Sequence, residues 1–242
     1  MNRVMTTGSN KTGIDMSPED SKLLIEGAES AMPSSDGNEM TLASYREPEM
    51  VAADPVGSVP PPGTLTGMAK TGVQKLMGNQ PEVLLDKLAG RLAFERTGTR
   101  LYDAFLAKCT LRKDEADGQS LELIRQFRNE EASHFALLWE AMRELGADPT
   151  AQTPEADVNG VASMGLLQVL TDPRTSVAQC IHAIHIAELT DRDGWELLIK
   201  LAREMGQADM AEKFTVALAE EGRHLETIRQ MMEQTVLAES SR

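Results

Sequence analysis

The string Glu-Glu-x-x-His occurs twice in this chain, as Glu130-Glu131-Ala-Ser-His134 and as Glu220-Glu221-Gly-Arg-His224. The chain contains only 4 histidines, so half of them stand in the same doubled motif. An α-helix completes a turn in about 3.6 residues, which puts a Glu and a His three apart on one face, able to hold one ion together. A single pair of this kind says little, because an exposed pair at that spacing contributes only about 0.2–0.5 kcal/mol to a helix. It is the repetition that restricts the fold.

The repeat extends upstream. Glu95 lies in LAFERTGTRLYDAF and Glu188 in HIAELTDRDGWELL; each is a single acid in an apolar stripe, with an aromatic two turns on, Tyr102 in one and Trp195 in the other. From Glu95 to Glu131 is 36 residues and from Glu188 to Glu221 is 33, the difference being a loop insertion around residues 113–120. Two helical hairpins therefore present equivalent faces. Paired, they enclose four carboxylates and two imidazoles, the ligand pattern of two-metal carboxylate bundles: a Glu from each of two helices and a Glu-x-x-His from each of the other two. Without cations such a cluster would resist ionisation, since buried like charges raise one another's pKa. Two divalent ions remove the conflict.

On these six positions the chain resembles the ferritin-like superfamily, bacterioferritin and rubrerythrin in particular, over about residues 81–238. The resemblance implies an all-α fold, a ferritin-like antiparallel four-helix bundle with a long crossover between its second and third helices. It implies two iron ions, with manganese as the alternative. Glu95 and Glu188 look like the terminal carboxylates, Glu131 and Glu221 like the bridging ones, and His134 and His224 like the single imidazole on each ion. Tyr102 stands where a bacterioferritin tyrosine hydrogen-bonds a metal carboxylate; a plain core aromatic is the other reading.

His182, His185 and Glu188 follow one another every three residues on the third helix. We expect His185 to be an additional ligand beside one metal, with a supporting histidine as the alternative. Asp191, three residues after Glu188, reads as a solvated or supporting acid. Gly98 and Gly222 lie next to the motif and each costs about 1 kcal/mol of helix propensity. Close helix approach, room for a ligand, or mere tolerance would each account for them.

Residues 1–79 differ in texture, with TTGSN, SSDG and VPPPG clusters, and read as a largely extended or disordered arm with short helices, one of them capped by Ser17. Residues 80–240 form the bundle domain. Asn79 is placed to cap the first long helix, with Pro81 in its first turn, and that helix runs to about Cys109. The second extends from about Ser120 to Leu145 and stops at Gly146. Ala147 to Asp172 is the crossover, in which GVASMGLLQVL forms a short helix. Pro173 opens the third long helix, which ends before Gly206, and the fourth spans about Ala208 to Leu237.

A net charge of −14 leaves no basic stripe for phosphates, which argues against nucleic acid as a partner and suits metal cations. No apolar run approaches the roughly 20 residues that a bilayer requires, and residues 1–14 lack the apolar core of a signal peptide, so a cytoplasmic protein is expected. The 2 cysteines, Cys109 and Cys180, read as buried free thiols. With no Cys-x-x-Cys pair, the rubredoxin domain that supplies electrons in rubrerythrins has no counterpart, so an external electron donor is implied. About 18 residues after His224 leave no room for the fifth helix of a bacterioferritin cage; a homodimer is the expectation. The leading functional reading is a di-iron oxidoreductase that binds Fe(II) and reacts with O2 or H2O2, as a ferroxidase or a rubrerythrin-like peroxidase. The alternatives are an iron-binding or storage protein, a manganese catalase-like peroxide dismutase, and a bundle that has lost its metals and serves as a scaffold.

Overall fold

A computed structural model of the chain describes residues 17–31, 39–62, 65–76, 80–113, 115 and 118–240. Among the described residues there are eight helices and no strands: α1 (Pro18–Ser30), α2 (Glu39–Ala52), α3 (Leu65–Leu76), α4 (Pro81–Leu111), α5 (Gly118–Glu144), α6 (Pro154–Thr171), α7 (Val177–Glu204) and α8 (Ala208–Ser240). The chain divides into two compact units, Val4–Asp54 and Pro55–Arg242 with Met1–Arg3. The bundle lies in the second. No helix of the described residues is long and apolar enough to cross a membrane.

The four long helices pair as α4 with α5 and α7 with α8, and the hairpins join through α4 against α7 and α5 against α8. This is the antiparallel ferritin-like bundle, with the α6 crossover linking α5 to α7. Both hairpins end a helix in the same way. Gly146 (φ 80°) and Gly206 (φ 70°) take the left-handed conformation, and the next residue's N–H reaches back, Ala147 to the carbonyl of Met142 and Gln207 to that of Ala202. A side chain at either glycine would be strained, which is why the stops are legible from sequence.

Several element boundaries depart from expectation. At the start of α4 the capping position belongs to Gln80, whose side chain makes no capping bond; Asn79 lies outside the described residues, as do the TTGSN and SSDG clusters. Pro173 does not open α7. Asp172 accepts hydrogen bonds from the backbone N–H (2.8 Å) and guanidinium of Arg174, closing a turn, and α7 begins only at Val177. There Ser176 and Gln179 form a capping box, two reciprocal bonds that satisfy otherwise orphaned donors. The crossover helix is 18 residues long rather than a short piece, because Thr153 caps it through Ala156 N–H and Pro154 presets its first turn. It packs along α4, where Gly90 leaves the space that the Glu155 side chain fills. In the N-terminal part, where the sequence reading expects short helices and places only the one after Ser17, α2 and α3 are two more. Ser17 does precede α1, but its hydroxyl bonds Asp20 instead of a backbone N–H.

The interior has three layers. One apolar cluster holds Leu88, Leu138, Met142, Trp195 and Phe214; another holds Phe105, Ile124, Phe127, Cys180 and Ile228. Each such side chain contributes about 1.5–3 kcal/mol by leaving water. Cys109 and Cys180 are free and buried in the second cluster. Burial, with Cys180 and Glu115 nearby, pushes the Cys109 thiol up to about 12, so it behaves as a small hydrophobe. Between the clusters lies a layer of charge.

Candidate metal centre

The charged layer is built by four helices. Glu95 comes from α4, Glu131 and His134 from α5, Glu188 from α7, and Glu221 and His224 from α8; none is more than 2% exposed. Three groups bring one potential ligand atom per residue within 4.8 Å of one another: Glu131, Glu188, Glu221 and His224; Glu95, His134 and Glu221; and Glu95, Glu131, Asp191 and Glu221. Glu221 belongs to all three and is the centre of the cluster.

Around it the imidazoles take corresponding places. His224 Nδ1 lies 3.3 Å from Glu221, 3.6 Å from Glu131 and 3.7 Å from Glu188. His134 Nδ1 lies 2.6 Å from Glu221 and 3.8 Å from Glu95. Neither Nδ1 has a hydrogen-bond partner, nor do Glu95 Oε2, Glu131 Oε2, Glu188 Oε2 or either oxygen of Glu221. So many inward, unpartnered, buried donor atoms would be costly in a core built for itself. They fit a pair of divalent cations, and the mixture of carboxylate oxygen with two imidazole nitrogens suits iron or manganese.

The opposite ring nitrogens are held from outside. His134 Nε2 pairs with Glu220 Oε2 at 2.8 Å and His224 Nε2 with Glu130 Oε2 at 2.7 Å. Glu220 is on α8 and serves the imidazole of α5; Glu130 is on α5 and serves the imidazole of α8. These bonds assign the proton to Nε2 and free Nδ1 to ligate, while a carboxylate partner strengthens the ligand. The first glutamate of each doubled motif thus holds the imidazole of the opposite hairpin, a part that sequence reasoning did not assign, although the repeat contained it.

Each terminal carboxylate also has one oxygen committed. Tyr102 donates its hydroxyl to Glu188 Oε1. Burial and the charge of Glu188 hold the Tyr102 phenol well above its usual range, so it stays a donor. Glu95 Oε1 instead accepts from Arg91 Nε at 3.0 Å. Arg91 is 6% exposed, lies 4.1 Å over the Phe94 ring, and forms a 2.9 Å ion pair with Asp191. The solvated reading of Asp191 is overturned: it is 2% exposed, and its carboxyl belongs to the cluster. His185, by contrast, is only partly buried and is absent from all three groups, and its Nε2 has no partner. The two glycines also part company. A Cβ on Gly98 would fall 2.1 Å from Glu131 Oε2, whereas one on Gly222 would meet nothing within 4 Å.

Electrostatics follow from packing five acids into one layer. Burial and mutual repulsion raise Glu131 and Asp191 well above the carboxylate range, raise Glu95, and push Glu188 up to about 8. Glu221 is held down at about 2, because the imidazoles of His134 and His224 beside it outweigh its burial. Those imidazoles rise in turn, His134 to about 9. The layer is short of positive charge, as a cation-binding layer should be.

Comparison with curated proteins and with solved structures finds no match. The family model of Rubrerythrin matches residues 87–232, a span of more than half the chain that contains every side chain of the centre, and the chain belongs to the rubrerythrin family.

Proposed function

We propose that this protein is a di-iron oxidoreductase in which Glu95, Glu131, His134, Glu188, Glu221 and His224 hold two ions, and that it reduces O2 or H2O2. The observation that carries the reading is the crossed pair Glu220–His134 and Glu130–His224, which turns both Nδ1 atoms toward a buried cluster of unpartnered carboxylate oxygens. Iron bound there would supply the electrons for reduction of O2 or peroxide, with manganese as the alternative metal.

The chain's own groups prepare that chemistry. Glu221, common to all three groups, and Glu95 and Glu131, each common to two, would hold the ions together with Glu188; Glu95 and Glu188 each offer one uncommitted oxygen. The apolar clusters on both sides exclude bulk water, which strengthens every electrostatic contact within. The Tyr102 hydroxyl donates to Glu188 Oε1, which leaves Oε2, 3.7 Å from His224 Nδ1, free to ligate. Both cysteines are buried, and the reading takes its reducing equivalents from an external donor.

The test compares two rates on iron-loaded protein: peroxide consumption with a reductant, and Fe(II) oxidation by O2 in excess over the bound ions. Sustained peroxide turnover supports the peroxidase form, and sustained oxidation of excess Fe(II) the ferroxidase form. Loaded protein that does neither contradicts the oxidoreductase reading and leaves an iron-holding protein.

A further inference from the structure

The two hairpins supply matching ligands but unequal supports. Glu188 is held by a neutral phenol, Tyr102; Glu95 at the corresponding place is held by a permanent cation, Arg91. Arg91 is the only arginine or lysine buried among the described residues. Its seat is built by both hairpins. Asp191 pairs with it through its carboxylate at 2.9 Å and accepts through its backbone carbonyl at 3.3 Å; Phe94 lies beneath the guanidinium; and a Cβ on Gly194 would fall 2.1 Å from Arg91 Nη1. A glycine one turn beyond Asp191 is therefore what lets the guanidinium lie against α7.

The charge balance assigns a role to this group. Five buried carboxyls and one guanidinium leave a deficit that two divalent ions cancel. Asp191 and Arg91 neutralise each other, and the four glutamates are left for the ions. Arg91 nonetheless lies beside only one of the two positions. It withdraws Glu95 Oε1 from ligation, and its positive charge repels an ion held by Glu95 Oε2 and His134, while the position at Glu188 and His224 faces Tyr102 instead. Resting on the proposed two-ion reading, we infer that Arg91 is a positioning residue that makes the two metal positions unequal: the Glu188/His224 position fills first, and the Glu95/His134 position holds its ion more weakly. A unit charge at a poorly solvated site sets the scale, a separation of about tenfold or more in affinity.

The experiment is calorimetric titration of the metal-free full chain with Co(II), a divalent probe stable to air, with elemental analysis of the saturated protein. Wild type is expected to bind in two steps separated by at least about tenfold. Arg91→Lys keeps the charge and should keep two steps. Arg91→Gln should bring the steps together by tightening the weaker one. Asp191→Asn leaves the Arg91 charge uncompensated and should push them further apart. A residue that only braced the helices would weaken binding in both of these variants alike, so opposite shifts identify the electrostatic role. Two ions bound in one step by wild type, or the same separation in wild type and Arg91→Gln, would overturn the inference while leaving the two-ion centre standing. Should Arg91→Gln fail to fold, an unchanged separation in Asp191→Asn would overturn it as well. No Co(II) bound by wild type would overturn the two-ion reading itself.

Discussion

The α4–α5 and α7–α8 hairpins place Glu95, Glu131 and His134 opposite Glu188, Glu221 and His224, and each hairpin orients the other's imidazole through the first glutamate of its doubled motif. What differs is what steadies the Glu95 and Glu188 carboxylates and what packs against the rings. The Glu188 side has a tyrosine hydroxyl; the Glu95 side has Arg91, Asp191 and Trp195, whose ring centroid lies 5.5 Å from that of His134 and whose indole N–H is buried without a partner. Ligands must satisfy the geometry of the ion and so repeat. Their supports only have to satisfy the ligands, and several chemistries do that, so the supports can differ, as Arg91 and Tyr102 do. The difference teaches that a two-fold ligand set need not give two equal sites.

The strongest way to break the symmetry is steric. Gly98→Ala places a methyl group where Glu131 Oε2 now lies, and should abolish ion binding at the shared part of the centre at a stability cost of about 1–3 kcal/mol. Gly222→Ala, in the other hairpin, meets open space and should raise stability by up to about 1 kcal/mol with ion content unchanged. Elemental analysis and thermal melts of the two variants side by side check both. Next, Glu220→Ala and Glu130→Ala remove the partners of His134 and His224 one at a time. Each should weaken ion binding by about 10–100-fold at its own imidazole, leaving the other step of the titration in place.

A smaller effect sharpens the contrast between supports. Tyr102→Phe strips Glu188 Oε1 of its donor and should weaken binding by about tenfold, whereas Trp195→Phe removes an N–H that has no partner and should leave affinity within about a factor of two. Equal losses in the two variants would mean that Trp195 supports its side as Tyr102 does. The gentlest probe is pH. Glu188 titrates at about 8 and His134 at about 9 in the folded chain, above their ordinary 4.5 and 6.5. A group that holds its proton more tightly when folded contributes stability below its unfolded pKa and loses it as pH rises through the folded one. The melting temperature of chelator-treated protein should therefore fall from about pH 5 to about pH 9, by several degrees in calorimetry, while saturating Fe(II) under argon should flatten the fall.

Much of this arrangement is legible in the chain because the constraint is periodic. An i, i+3 spacing is fixed by the helix, and a motif that occurs twice in a sequence with 4 histidines carries its own control. Gly146 and Gly206 are legible for a local reason, since both residues sit in a backbone conformation that a side chain would strain. Groups that act across helices are harder to see. Glu130 and Glu220 lie one residue off the ligand face, so their purpose emerges only when the opposite helix arrives. Arg91 stands four residues before Glu95, a spacing that marks an ordinary surface ion pair, and nothing in one strand of text tells that it is buried against α7. His185 and Asp191 flank Glu188 at the same spacing on either side, and only packing selects which of them turns inward. At the start of α7 the turn closed by Asp172 and Arg174 keeps Pro173 outside the helix, and the Ser176–Gln179 capping box opens it instead.

The central claim is that this layer is a two-ion centre, and metal per chain tests it most directly. Full-length protein would be loaded anaerobically with Fe(II), desalted and measured by elemental mass spectrometry beside the Glu131→Ala, Glu221→Ala double variant. The account predicts about two irons per chain in wild type and close to none in the variant. No retained iron in wild type, or equal iron in both proteins, would contradict it.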